Sequence, residues 1–275
     1  MSSNIAHVTE EISAVGFSVH QDAHFGALVD SVINKKFNFY SEEGFSLFRA
    51  VLRNDLVSNV IPDVIKAVLP EPVFIFCRVF GRTRQKHSIV NRKDEKSMRI
   101  LTVWCWSSES KATLYSGSHL HHLNAKDSDN SLLEVSDKAL QQDDIQQRPY
   151  HIDLGGFAIV DGRCAWQMMN GKGVLFGFAI PDEARHWFPM AFPSTLQSTI
   201  TNIMAGTDIA IRADYRRVAQ PQKHITTTTT TNEKEQVKTT SAGNSDQAHD
   251  MASDQGPSES NLDSHEGRID DISHK

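Results

Sequence analysis

Over the first 70 residues the apolar positions recur at helical spacing. Phe25, Leu28, Val29, Val32 and Ile33 fall on one face of a helix that Asp22 is placed to cap. Ser41, followed by Glu42 and Glu43, opens a second helix carrying Phe45, Phe48, Leu52 and Leu56. Pro62 suits a first helical position, and the short helix it starts runs through Val64, Ile65 and Val68 before Pro70. The spacing predicts a helical segment over 20–70 whose apolar faces need a flat partner.

From residue 72 the period changes to two. Val73 to Phe80 (VFIFCRVF) and Met98 to Trp106 (MRILTVWCW) are rich in β-branched and aromatic residues and apolar on both alternating faces, as in strands covered on both sides. Lys111 to Ser116 reads as a shorter third strand, and 124–149 as a polar loop with a short helix around 131–140. The strand pattern resumes at Tyr150. Asp161-Gly162 and Asn170-Gly171 then separate apolar runs, which predicts three consecutive antiparallel strands joined by tight turns. Pro193, Ser194 and Gln197 read as a capping box opening a helix over 194–217, with Leu196, Ile200, Ile203, Met204 and Ile211 on one side and Arg212, Arg216 and Arg217 at its end. Helices, then strands, then one helix is an α+β order. The expected architecture is a mostly-β sheet sandwich or barrel, with a β core over 72–180, flanking N-terminal helices and one C-terminal helix.

Composition divides the chain near residue 218. Residues 219–275 contain no Phe, Trp, Tyr or Cys, and carry five Lys/Arg against ten Asp/Glu. That segment has a net charge of −5 out of −6 for the chain, which leaves −1 for the rest. Such a stretch has too little apolar surface to offset its ordering entropy, so it is expected to be a disordered acidic tail behind one globular domain, 1–218. A near-neutral domain argues against a nucleic-acid partner, which requires a clustered basic surface. Arg78, Arg82, Arg84, Lys86, Arg92 and Lys93 gather around one loop, read as a solvated loop after a strand. Cys77, Cys105 and Cys164 lack disulfide or zinc spacing. No apolar run approaches the ~20 residues that span a bilayer, and Met1 to Ala14 has no secretory pattern. The expected location is the cytoplasm or the nucleus, with no membrane partner.

No phosphate-binding glycine loop, His-Glu-x-x-His, Cys-x-x-Cys or Gly-x-Ser-x-Gly is present. The most informative stretch is Leu114 to Leu123 (LYSGSHLHHL), in which His119, His121 and His122 offer imidazoles to a metal. With a strand before it and Ser116-Gly117-Ser118-His119 as its turn, this stretch resembles the phytanoyl-CoA hydroxylase family of iron(II)/2-oxoglutarate dioxygenases. Gly155-Gly156-Phe157-Ala158-Ile159-Val160-Asp161-Gly162-Arg163 is similar to a later strand of that family. The resemblance covers about residues 72–180. It implies a double-stranded β-helix, a jelly-roll of two sheets, with iron held by a His-x-Asp/Glu pair and a later His.

The chain departs from that pattern at each ligand. His87-Ser88-Ile89 stands where His-x-Asp is expected, Cys164, Ala165 and Trp166 where the distal histidine is expected, and 174–180 has no arginine for 2-oxoglutarate. The departures argue against bound iron(II) and 2-oxoglutarate. Two other His-x-Asp triplets occur, at His20/Asp22 and at His151/Asp153, and the second pair lies in a strand pattern that puts both on one face. Candidate metal ligands are therefore His87, His119, His151 and Asp153, the last three being also the catalytic candidates. Trp104, Trp106, Tyr115 and Trp166, with Phe178, either pack as core or line an apolar cavity for a hydrophobic small molecule. Two functions follow: a β-helix protein acting on or binding such a molecule, in specialised metabolism, with its iron site lost; or a metal-free ligand-binding or protein-interaction module.

Overall fold

The structure is a computed structural model that describes residues 2–53, 60–90, 97–128 and 132–217. All of these belong to one unit, Met1–Pro221. The tail expected over 219–275, and Leu56, Arg92 and Lys93, lie outside the described residues.

Helix α1 (Ser2–Val15) and strand β1 (Phe17–Gln21) precede the helices expected from the sequence. Helix α2 (Ala23–Asn34) is capped by the Asp22 carboxylate, which accepts from the His24 and Phe25 amides at 2.8 and 3.2 Å. The Ser41 hydroxyl caps α3 (Glu42–Leu52), and Pro62 sits in the first turn of α4 (Ile61–Val68). The barrel strands follow: β2 (Val73–Phe80), β3 (Lys86–Ser88), β4 (Ile100–Trp106), β5 (Ser110–Ser116), β6 (Lys126–Asp127), β7 (Leu133–Val135), β8 (Gln146–Ile152), β9 (Gly156–Asp161), β10 (Ala165–Asn170) and β11 (Gly173–Ala179). The chain continues through α5 (Pro181–Ala184), β12 (Met190–Pro193), α6 (Gln197–Met204), β13 (Ala210–Ile211) and β14 (Ala213–Arg216).

The described strands form two six-stranded sheets, ordered β1-β9-β4-β11-β2-β13 and β6-β7-β3-β10-β5-β8, and a two-stranded one, β12-β14. Between β2 and β11 the chain alternates between them, apart from the β5–β8 excursion, which stays in the second sheet. That alternation makes a double-stranded β-helix, so the expected α+β jelly-roll is the observed fold. Residue alternation then sorts three layers. On β4, Leu101, Val103 and Cys105 face outward under α1–α4 and α6, while Ile100, Trp104 and Trp106 face into the barrel against Ala112, Leu114, Trp166 and Met168 of the opposite sheet. A third, smaller cluster, centred on Tyr115, Leu123, Val135 and Ala165, covers the outside of the second sheet. No helix among the described residues is long and apolar enough to cross a membrane.

Three expectations are corrected. The strands around Asp161-Gly162 and Asn170-Gly171 are not hairpins: β9 and β11 pair with β4, and β10 pairs with β5 and β3. The turn signals report that the chain reverses, not which strand it pairs with, and here each reversal passes from one sheet to the other. The region 124–149 is not a plain loop, because β6, β7 and the start of β8 extend the second sheet, and Asp137–Leu140 forms only a 3-10 turn. The last helix stops at Met204 rather than 217, and no side chain caps it. Gly206, at φ +76, turns the chain, and β13 then adds in parallel to β2 while β14 pairs with β12.

Candidate functional site

Strands β3 and β10 meet inside the barrel at one pair, His87 opposite Trp166. Both side chains are buried, and their ring centroids are 5.2 Å apart. The His87 Nε2 is 3.1 Å from the Thr83 hydroxyl. Its Nδ1, fully buried, has no hydrogen-bond partner among the described residues. Burial holds the His87 pKa below the ordinary 6.5, with Glu134 pulling the other way. Trp166 packs edge-on against Trp104 at 4.2 Å, and Phe80 touches both rings at 5.3 and 5.7 Å. The Trp104 indole N–H donates to the Thr102 hydroxyl at 3.1 Å, whereas the Trp106 and Trp166 indoles find no acceptor among the described residues.

The turn that carries the family resemblance is a structural staple. Gly117 adopts φ +82 and donates its N–H to the Val15 carbonyl at 3.1 Å. The Ser118 hydroxyl donates to the Tyr115 carbonyl and accepts the Ala165 amide at 2.9 Å. His119, 3% exposed, places Nε2 3.1 Å from the Ser13 carbonyl. A carbonyl only accepts, so Nε2 carries the proton. Burial lowers the His119 pKa, the Ser13 bond and Asp161 opposing it. Next to it Asp161, itself 1% exposed, accepts from the Arg163 amide, Nε and Nη2 at 2.9, 3.0 and 2.6 Å. Burial pushes the Cys164 thiol up to about 12, so it stays protonated and is no nucleophile at neutral pH.

His151 and Asp153 do come together, as their spacing suggested, with Nδ1 3.2 Å from Oδ1. They lie on the outer wall, at the far end of the β5–β8 ladder from His119. Glu109, which no sequence signal marked, joins them at 3.5 Å from Nε2. The structure therefore does not gather His87, His119 and His151 into one site. His20 stacks on Phe157 at 4.8 Å and lies 2.9 Å from the Ser18 hydroxyl, while Asp22 is occupied as a cap.

Of the four residues named for an apolar pocket, Trp104, Trp106 and Trp166 share the barrel interior. Tyr115 does not, because it follows the inward Leu114 on β5 and points to the other face. Phe178 likewise faces the helices. Phe80, half-buried at the end of β2, takes the place expected of Tyr115; its position on the inner face becomes legible only once the strand's register is known. In the basic loop, Lys86 pairs with Asp137, and the Arg78 guanidinium lies 5.6 Å above the Phe76 ring. A surface groove of about 450 Å³ is lined by Glu42, Arg49, Arg53, Thr199, Asn202 and Ile203. Its Arg53 donates to the carbonyls of Asn202, Ile203 and Ala205 at the end of α6, and so serves as a helix cap.

No family model matches the chain, and no curated protein matches it in sequence. Among solved structures it is similar to the non-haem α-ketoglutarate-dependent epimerase SnoN from nogalamycin biosynthesis, at 10% identity and a TM-score of 0.43, covering 66% of this chain and 84% of that one. HygX from Streptomyces hygroscopicus, with iron bound, matches at 9% identity and a TM-score of 0.43, over 76% of this chain and 96% of that one. The α-ketoglutarate-dependent carbocyclase SnoK from nogalamycin biosynthesis matches at 12% identity and a TM-score of 0.42, over 63% and 83%. Likeness at this level carries nothing about activity; the double-stranded β-helix rests on the strand order itself.

Proposed function

We propose that this chain is a non-oxidative double-stranded β-helix protein of the phytanoyl-CoA hydroxylase type, which binds a hydrophobic small molecule of specialised metabolism without iron. The observation that carries the reading is the His87–Trp166 pair. An oxygenase of this type needs a carboxylate two residues after the first histidine and a second histidine early in the strand opposite, to hold iron(II) that activates oxygen beside 2-oxoglutarate. Here Ile89 follows His87 at that spacing, and an indole faces it. Strand β11 presents no cation for 2-oxoglutarate. Among the described residues the His87 Nδ1 is a single donor without a companion ligand, so the residues present do not fit the iron centre.

The ligand-binding half of the proposal rests on the same cluster. Phe80, Trp104 and Trp166 form an aromatic group that Phe80 connects to solvent, and such rings suit apolar ligands while the indole N–H of Trp166 offers one polar contact. The test has two arms. The full chain is mixed anaerobically with iron(II) and 2-oxoglutarate, and its tryptophan emission is separately titrated with the probe anilinonaphthalene sulfonate. The expected results are no iron–oxoglutarate charge-transfer band and a saturable emission change that Trp166→Phe reduces. A stoichiometric band overturns the non-oxidative assignment; a probe that leaves the emission unaltered overturns the ligand-binding one.

A further inference from the structure

The turn between β4 and β5 leaves Glu109 in the left-handed region at φ +56, a conformation that costs a side-chain-bearing residue energy. Two hydrogen bonds keep it there. The Glu109 N–H donates to the Asp153 carbonyl at 3.2 Å, and its own carbonyl accepts from the Asn170 side chain at 3.3 Å. One step along, the ladder pairs Ser110 with Ile152 and Lys111 with His151. The backbones of Glu109, His151 and Asp153 are thus fixed against each other by the sheet, although Glu109 and Asp153 are 44 residues apart in sequence.

We infer that Glu109, His151 and Asp153 form a binding site for a divalent transition-metal cation of the zinc class on the outer wall of the β-helix. One ligand atom from each lies within 4.8 Å of the others. The imidazole stands between two carboxylates, with Nε2 3.5 Å from Glu109 Oε2 and Nδ1 3.2 Å from Asp153 Oδ1. One ring nitrogen of His151 can therefore join an oxygen from each acid in holding a cation. Two carboxylates with oxygens within 4.8 Å of one imidazole repel each other unless a cation lies between them. The nitrogen in the set disfavours magnesium and calcium, which take oxygen ligands, and favours zinc, nickel or copper. The charged group facing the site from the neighbouring strand is Lys111, cross-strand to His151, and the two carboxylates outnumber it. All three ligands are solvent-accessible, so water completes the coordination.

The test uses the full chain, stripped of metal, titrated with zinc(II) by calorimetry and with cobalt(II) by its visible ligand-field bands. The chain has 13 histidines, so the variants carry the assignment. The expected result is that His151→Ala removes one equivalent of zinc and the cobalt bands that go with it. Glu109→Gln and Asp153→Asn should each weaken that equivalent by about 10-fold or more, and Lys111→Ala should tighten it. All four are surface changes, and circular dichroism checks that each still folds. Zinc uptake in His151→Ala equal to the parent in stoichiometry and affinity would overturn the site, as would a parent chain that binds no zinc.

Discussion

A Cβ atom on Gly16 would stand 2.7 Å from His119 Nδ1 and 3.3 Å from Cys164 Sγ. Gly16 ends α1, with φ +98 and its N–H on the Ile12 carbonyl at 2.9 Å, so it has both a conformational and a steric reason to be glycine. The buried Nδ1 of His119, with no hydrogen-bond partner among the described residues, faces this glycine, and the proton is on the opposite nitrogen.

Gly16→Ala should therefore destabilise the chain by more than the ~1–2 kcal/mol of a left-handed alanine alone. His119→Ala in the same chain should recover part of that loss by removing the obstructing ring. Chemical denaturation of the two single variants and the double variant measures the coupling. Additive losses would show that the ring and the glycine do not press on each other.

Trp166 sits at the centre of the barrel cluster, in contact with His87, Phe80 and Trp104. Trp166→Ala should cost about 3–5 kcal/mol, as expected for emptying a large buried aromatic site. Trp166→Phe should cost less, because it keeps most of the apolar volume and deletes an N–H that makes no hydrogen bond. Urea midpoints at constant slope would separate these two results.

The pH dependence of stability follows from the buried histidines. His87 and His119 are both held below the ordinary 6.5, chiefly by burial. Below that value the unfolded chain takes up protons that the folded chain refuses. Their contribution is thus complete above the unfolded pKa of 6.5 and is lost as the pH falls beneath it. The melting temperature should drop between about pH 7 and about pH 5, and His119→Gln should flatten the fall. Asp161 and Arg163 face His119 with opposite charges, and His121 adds to the repulsion of a second proton.

The Asp22 cap should behave independently of the barrel. Asp22→Ala removes the acceptor for the His24 and Phe25 amides and should cost ~1 kcal/mol. Asp22→Asn should retain most of it. Equal losses in both would mean the carboxylate's charge at the helix start, not the capping hydrogen bonds, carries the effect.

Local chemistry was enough to read helices α2 to α4 and the central strands β2 and β4. Asp22 and Ser41 mark helix starts because a short polar side chain satisfies free amides wherever it precedes an apolar helical face. The two-sided apolar runs 73–80 and 98–106 announced strands buried on both faces, and Trp104 and Trp106 could be put on one face by alternation alone. The turn at Asp161-Gly162 was equally visible. What followed it was not, because a reversal is a local property and a strand's partner is not. The pairing of β10 with β3 and β5, rather than with its sequence neighbours, depends on contacts between residues 50 to 79 positions apart. The same limit governs the sites. The His151/Asp153 proximity was legible because both residues lie on one short segment. Glu109 was invisible, since only the β5–β8 register brings a turn residue to them. His87 and Trp166 carry no shared sequence signal, and Tyr115 was misplaced by one position of alternation. By itself the sequence determined helices α2 to α4 and the central strands β2 and β4. Only the tertiary structure decided which side chains meet, because register and sheet order are set by the sum of long-range packing, which no local window contains.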